Sequence, residues 1–356
     1  MQKIERYTIW NNKGGVGKST ITFHVATRYA ERHPGKKVLV LDLCPQSNSS
    51  MMLLGGGTIG ETHVLNLCVL QSPRTVVGYM SSVIANGPGA PLPHPLGYMV
   101  NVAGVNPNMP PNLDLLSGDA NLEPMSPAIT AAANAAALTP TVQPWKWVHL
   151  VFRQLVDSYA ACFPAQDVTV FIDTNPSFSI YTELAISAGD KLIVPVNADD
   201  SSRVATNALF ILLHGQTPPH PIYGAWTYAS NAAKYNLSIP QIHAIVGNRL
   251  TQHLGAAIAF SALSDATANT LYQAFQANPS RFTYRHVKAN TLDEFRNFYT
   301  VALRDFNTAG VVSAHLGMPL SRLSGGYYYI HGDRVQINND RVAECARAVD
   351  DLVGML

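Results

Sequence analysis

The stretch Trp10-Asn11-Asn12-Lys13-Gly14-Gly15-Val16-Gly17-Lys18-Ser19-Thr20 decides the fold. It follows a short apolar run, Tyr7–Trp10. It leads into a segment from Ser19 to about Arg32 with Ile21, Val25, Ala26 and Tyr29 at helical spacing. A glycine-rich loop between a strand and a helix can turn tightly and aim successive N–H groups at one point. The helix N-terminus adds the positive end of its dipole there. Such a loop suits phosphate oxygens, with Lys18 reaching the β- and γ-phosphates and the Ser19 hydroxyl ligating Mg²⁺. Asn12 stands where the common pattern has its first glycine, and a second lysine, Lys13, stands just before Gly14-Gly15. Asn12, Lys13, Gly14, Gly15, Val16, Gly17, Lys18, Ser19 and Thr20 are therefore the candidate nucleotide-binding residues.

Outward from the loop, the chain alternates strands and helices. Pro34-Gly35 ends the first helix, and Lys37–Leu43 is a continuous apolar run, as in a strand buried on both faces of a parallel sheet. Val168–Asp173 and Lys191–Val196 have the same character; His243–Gly247 and, more weakly, Phe282–Val287 are further strand candidates. Trp147–Ala161, Ile180–Ser187, Ala205–His214 and Ala256–Gln276 read as helices. The alternation predicts an α/β fold: a doubly wound, mostly parallel sheet flanked by helices in one domain. Two segments break the pattern. Asn86–Pro111 is rich in Pro and Gly, and Pro124–Pro144 holds an Ala-rich run between prolines; both are expected to be surface insertions, with a short strand at Asn112–Leu116 between them.

Composition narrows the classes further. The 356 residues are 47% hydrophobic and 13% charged, enough for a large core, and the net charge of +1 advertises neither nucleic acid nor an anionic membrane. Cys44, Cys68, Cys162 and Cys345 are too widely spaced for a zinc site or a disulfide framework. No apolar run approaches the roughly 20 residues that span a bilayer, and no secretory signal is visible, so the cytoplasm is the expected compartment.

Lys13-Gly14-Gly15-Val16-Gly17-Lys18-Ser19-Thr20 resembles the deviant phosphate loop of the ParA/MinD family of P-loop ATPases (the SIMIBI type). Leu39–Gln46 is similar to that family's second strand and first switch, commonly Asp-x-Asp-Pro-Gln. Val170–Ser177 is similar to its Walker B strand and second switch, commonly Asp-x-Pro-Pro-Ser. Thr75–Tyr79, Asn112–Leu116, Asp190–Val196 and the Gly317-Met318-Pro319 turn fit weaker family segments in the same order. The resemblance implies ATP with Mg²⁺ as ligands, a nucleotide-sandwich homodimer, and Lys13 acting across to the opposing nucleotide. It places Asp42 near the Mg²⁺ shell and Asp173 on a metal-bound water. A lone Asp closing an apolar strand is ordinarily a turn former; two at matching strand ends after this loop favour the metal role.

One position departs from the family. Cys44 stands where an Asp usually positions or activates the attacking water. A neutral thiol accepts hydrogen bonds poorly and cannot replace a carboxylate. Positioning supplies most of the catalysis in phosphoryl transfer, so slow hydrolysis is expected. A redox-sensitive thiol is the alternative reading of Cys44, and it requires a lowered pKa. Asn175, in place of the second switch's first Pro, is a milder departure. Asn248-Arg249, after the His243–Gly247 strand, is the candidate adenine contact, against an ordinary turn.

The resemblance further implies a partner or adaptor protein that stimulates hydrolysis. Nonspecific DNA stays open as a partner through Arg281, Arg285, His286, Lys288 and Arg296, with Arg304 and Arg322 further on; a solvated face is the bland alternative. The last helix, Asn339–Leu356, has Val342, Cys345, Val349, Leu352 and Val353 on one face and acids on the other, which fits core packing and speaks against membrane binding. Two readings stand: an ATPase that positions or partitions a cargo, and a hydrolysis-poor, ATP-gated dimeric scaffold that recruits a partner without DNA.

Overall fold

The computed structural model describes residues 2–137, 142–197, 199–248, 256–303 and 307–356. In chain order these hold β1 (Ile4–Ile9), α1 (Lys18–Arg32), β2 (Lys37–Leu43), α2 (Asn48–Leu53), α3 (Gly57–Cys68) and α4 (Val76–Asn86). Then come β3 (Val100–Asn101), β4 (Leu113–Leu116), α5 (Leu122–Ala133), α6 (Pro144–Ala161), β5 (Val168–Thr174) and α7 (Ile180–Ala188). The second half holds β6 (Lys191–Asn197), α8 (Asp200–His214), α9 (Tyr228–Tyr235), β7 (Gln241–Asn248), α10 (Ala256–Ala277) and α11 (Leu292–Tyr299). The chain finishes with β8 (Thr300–Ala302), α12 (Asn307–Leu316), β9 (Gly326–Ile330), β10 (Asp333–Ile337) and α13 (Asn339–Gly354).

Eight strands form one sheet in the order β3-β4-β2-β5-β1-β6-β7-β8, parallel throughout except for β3 at one edge. The apolar runs explain why the sheet lies between two helical layers. Alternate residues of one strand serve opposite cores: Leu39, Leu41 and Leu43 of β2 pack with α4, α6 and α7, whereas Val38 and Val40 pack with α1, α12 and α13. Consecutive strands β1 and β2 are separated by β5, so the loops after β1, β2 and β5 meet above one crevice at the carboxyl ends of the strands, where open α/β sheets bind ligands.

The doubly wound, mostly parallel sheet is as the sequence predicts; two segments hold more structure than expected, and two further local expectations need correction. Within Asn86–Pro111, β3 pairs antiparallel with β4, and Met99, Val100, Val102 and Met109 are buried. In Pro124–Pro144 the Ala-rich run is largely α5, which carries Pro127 within it and buries Leu122, Ile129 and Ala133. Phe282–Val287 is not a strand; Phe282 makes one bridge to Ile242, and Tyr284, His286 and Val287 are exposed, while Thr300–Ala302 takes the sheet edge. The Gly317-Met318-Pro319 turn does end a helix, α12, but the β9–β10 hairpin intervenes before α13. On α13 the apolar face is buried as expected, and Asp350 on its other side pairs with Arg28 and Arg32 of α1. Among the described residues no helix is long and apolar enough to cross a membrane.

Candidate nucleotide site

The loop between β1 and α1 is held by its own side chains. Asn11 is fully buried; its Nδ2 donates to the Pro195 carbonyl at 2.7 Å, and its Oδ1 accepts from the Lys13 N–H at 3.0 Å. Gly15 and Gly17 take φ of +71° and +81°, a region in which L side chains are strained. Gly17 is the N-cap of α1. The Lys18 ammonium folds back over the loop, donating to the carbonyls of Asn11 (3.1 Å) and Lys13 (2.9 Å). Burial pulls its pKa down to about 8, against the upward pull of Asp173 and Cys44. An ammonium bonded only to carbonyls in a half-closed cradle has capacity left for an anion.

Beneath the loop lie two buried carboxylates. Asp42 and Asp173 are Cα partners in the β2–β5 ladder, and neither is exposed. Asp42 accepts from the Ser50 hydroxyl (2.6 Å), the Ser50 N–H (3.0 Å) and the Cys44 N–H (3.1 Å). Asp173 Oδ1 accepts from the Thr174 N–H at 3.0 Å and from the Thr22 hydroxyl at 3.4 Å. Burial, and then the neighbouring Asp42 charge, push Asp173 up to about 7; burial also raises Asp42. The Asp173 Oδ2 has no hydrogen-bond partner. An unsatisfied carboxylate oxygen beside a second carboxylate and a P-loop serine is a donor set that fits a hard, oxygen-seeking cation. Among the described residues no group of three or more His, Cys, Asp or Glu is poised to hold a metal, so most of such an ion's shell would come from water and phosphate, as Mg²⁺ prefers.

These groups open into a cavity of about 530 Å³ lined by Gly14, Gly15, Lys18, Ser19, Cys44 and Gln46, with Met51, Met52 and Pro176 around its rim. The structure thus brings together the glycines, Lys18, Ser19, Thr20, Cys44, Asp42 and Asp173. Cys44 is 3% exposed, and burial together with the Asp42 and Asp173 charges drives its thiol well above the usual range. That is opposite to the lowered pKa which a redox-sensitive thiol requires. Lys13 points away from the cradle: it pairs with Asp199, which caps α8 and accepts from the Ser202 N–H at 2.8 Å. The lysine holds Asp199 down to about 2 despite its burial.

Asn248 ends β7, beside Asn197 of β6, and its side chain lies outside the described residues, as does all of Arg249. A second cavity of about 260 Å³ opens at those strand ends, lined by Val196, Asn197, Gly247, Asp265, Thr267 and Arg296 among others. Among the described residues, two members of the basic stretch are engaged in internal contacts. Arg285 donates to the His243 carbonyl at 2.7 Å, and Arg296 pairs with Asp265 at 2.6 Å. His286 and Lys288 are exposed, and Arg304 lies outside the described residues. Sequence reasoning missed Asn11, Ser49, Ser50 and Asp199. For the two serines the run Ser47-Asn48-Ser49-Ser50 after the switch was the available signal; Asp199 is visible only as a capping-type residue before Ser201-Ser202.

The family model described as an AAA domain matches residues 4–85, which span β1 to α4. No curated protein sequence matches the chain. Among solved structures, apo McdA from Cyanothece aligns over 99% of this chain and 100% of its own, at 15% identity and a TM-score of 0.58. An aspartate-to-alanine variant of Cyanothece McdA in complex with ATP gives 0.59 at 15% identity, covering 99% and 98%. The ParA of pNOB8 gives 0.51 at 14% identity, covering 99% of each chain. These likenesses extend over nearly the whole length of each chain, and the protein shares the fold of the McdA and ParA P-loop ATPases.

Proposed function

We propose that the protein is a ParA-like ATP-binding switch that closes as a nucleotide-sandwich homodimer to position or partition a cargo, and that it hydrolyses ATP slowly. The observation that carries this reading is the pair of lysines around one cradle: Lys18 folded over the loop, and Lys13 held outside it on Asp199. In this reading Gly14 to Thr20 wrap the phosphates, and Lys18 exchanges its carbonyl contacts for β- and γ-oxygens. Lys13 leaves Asp199 to reach the nucleotide of the facing subunit. Ser19, Asp42 and Asp173 would hold Mg²⁺, which when bound neutralises charge on the bridging phosphate oxygens. The neutral, buried Cys44 supplies no carboxylate to the attacking water, hence the slow turnover. Asn248 and Arg249 remain the proposed adenine contacts, and a cavity of about 260 Å³ opens at the ends of β6 and β7.

The second reading, an ATP-gated dimeric scaffold that recruits a partner protein without DNA, is favoured by one observation. Arg285 and Arg296, two members of the basic stretch, are spent on internal contacts, which leaves less free charge for phosphate backbones. The test is to measure dimerisation and retention on nonspecific DNA with ATP, with ADP and without nucleotide. The positioning ATPase predicts a dimer and DNA retention with ATP alone; the scaffold predicts an ATP dimer that DNA does not retain at low salt. A monomer with saturating ATP and Mg²⁺ overturns both.

A further inference from the structure

The cavity contains a polar side chain to which the family resemblance gives no role. We propose that Gln46 orients the attacking water for γ-phosphoryl transfer, in place of the carboxylate that Cys44 cannot supply; this rests on the ATP-hydrolysing reading above. The local chain geometry explains why the task passes two residues along. Cys44 is 3% exposed. The Ser47 N–H donates to the Cys44 carbonyl at 2.9 Å, and Ser47 takes φ of +53°. Cys44 is thereby committed to closing the turn. The same turn leaves Gln46 as the exposed residue of the loop, with its side chain lining the cavity beside Gly14, Gly15 and Lys18.

Two other polar groups on that wall are engaged within the fold: the Thr174 hydroxyl donates to the Ile9 carbonyl at 2.7 Å, and Lys18 holds the loop carbonyls. The Gln46 carboxamide is held by one contact, a 3.2 Å bond that its Oε1 accepts from Asn48 Nδ2 at the start of α2. Its Oε1 retains a lone pair and its Nε2 retains both protons, the combination needed to grip a water and a phosphoryl oxygen at once. A neutral glutamine performs this orienting task in small GTPases.

In the step itself the water oxygen forms a bond to the γ-phosphorus as the bond from that phosphorus to the β–γ bridging oxygen breaks. ADP leaves with the bonding pair. Gln46 Oε1 accepts a hydrogen bond from the water without taking its proton, which ends on the released inorganic phosphate. Asn48 is a positioning residue for the carboxamide.

The experiment measures single-turnover ATP hydrolysis, and ATP affinity with Mg²⁺ by fluorescence titration, for wild type, Gln46→Ala, Gln46→Glu, Cys44→Asp and Cys44→Asp/Gln46→Ala. Loss of orientation is worth about 100-fold in rate. Gln46→Ala is expected to lose that factor with ATP affinity unchanged within about twofold, and Gln46→Glu to retain hydrolysis. In the Cys44→Asp background the same Ala substitution should cost less than tenfold, because a carboxylate then shares the task. The proposal is overturned if Gln46→Ala hydrolyses like wild type, if its loss is equal in both backgrounds, or if wild type shows no hydrolysis. The first two outcomes leave the ATP-switch reading standing, whereas absence of ATP binding by wild type would sink that reading itself.

Discussion

Asp173→Asn is expected to stabilise the nucleotide-free protein at alkaline pH while destroying its response to Mg²⁺. The cause is the pairing of Asp42 with Asp173 in adjacent strands, both buried, with Asp173 Oδ2 unpartnered. The Asp173 pKa rises from 3.8 to about 7, because burial and the Asp42 charge both disfavour the anion. A group whose pKa is raised by folding gives its stabilisation in full below the unfolded value, and this is lost as pH climbs through the folded value. The window is therefore pH 3.8 to about 7. At about 1.4 kcal/mol per unit, the loss across it is at most about 4 kcal/mol. Asparagine keeps an oxygen to accept from the Thr174 N–H and the Thr22 hydroxyl and turns a donor toward Asp42, so roughly half is recoverable, about 2 kcal/mol. In a chain of this size that is on the order of 3 °C in Tm. Differential scanning fluorimetry at pH 5 and pH 8, with and without ATP and Mg²⁺, is the assay. The variant should match wild type at pH 5, exceed it at pH 8, and lose the Mg²⁺-dependent part of the ATP shift. A difference between variant and wild type that is the same at both pH values refutes the electrostatic account.

Three further outcomes follow from the same geometry. Burial leaves Lys18 partly deprotonated near pH 8 in the free protein, and phosphate oxygens restore its charge, so ATP binding should take up protons at pH 8 and much less at pH 6.5. Isothermal titration in buffers of different ionisation enthalpy reads that uptake directly. Asp199→Asn keeps an N-cap for α8 but releases Lys13, so the ATP-dependent dimer should form at several-fold lower protein concentration in light-scattering chromatography, with no loss in thermal stability beyond about 1 kcal/mol. Gly317→Ala should destabilise the protein by about 3 kcal/mol or more in urea unfolding, since Gly317 holds φ of +53° and an added Cβ would lie 2.4 Å from the Gly55 backbone.

The fold was legible where one residue class had one physical use. Val38–Leu41 and Val170–Ile172 are apolar without interruption because both sheet faces are covered, and a helix would not need that pattern. The glycines of the loop announce their turn because Gly15 and Gly17 hold positive φ. Legibility fell where tertiary contact overrode local signals. The Pro- and Gly-rich Asn86–Pro111 looks like a free loop, yet Asn106 reaches the carbonyls of Leu53 and Gly317 and pins it to the helical layer. Alternation in Phe282–Val287 is as strand-like as that of Thr300–Ala302, and only the competition for the β7 edge separates them.

In the site, the residues that sequence could name are those which chemistry restricts to one type, and the residues it missed are those that hold them. Lys18, Ser19 and Asp173 follow from what phosphate and a hard cation demand. Asn11 and Ser50 supply interchangeable hydrogen bonds, so neither their type nor their spacing marks them until the fold brings them to Lys13 and Asp42. Cys44 joins the two categories. Its departure from aspartate was readable as a lost carboxylate, while its backbone closes the turn, the Ser47 N–H donating to its carbonyl at 2.9 Å. That backbone bond does not depend on the side chain, so the loop can keep its shape with a thiol at this position. On the proposal made above, the orientation of water then passes to the Gln46 side chain.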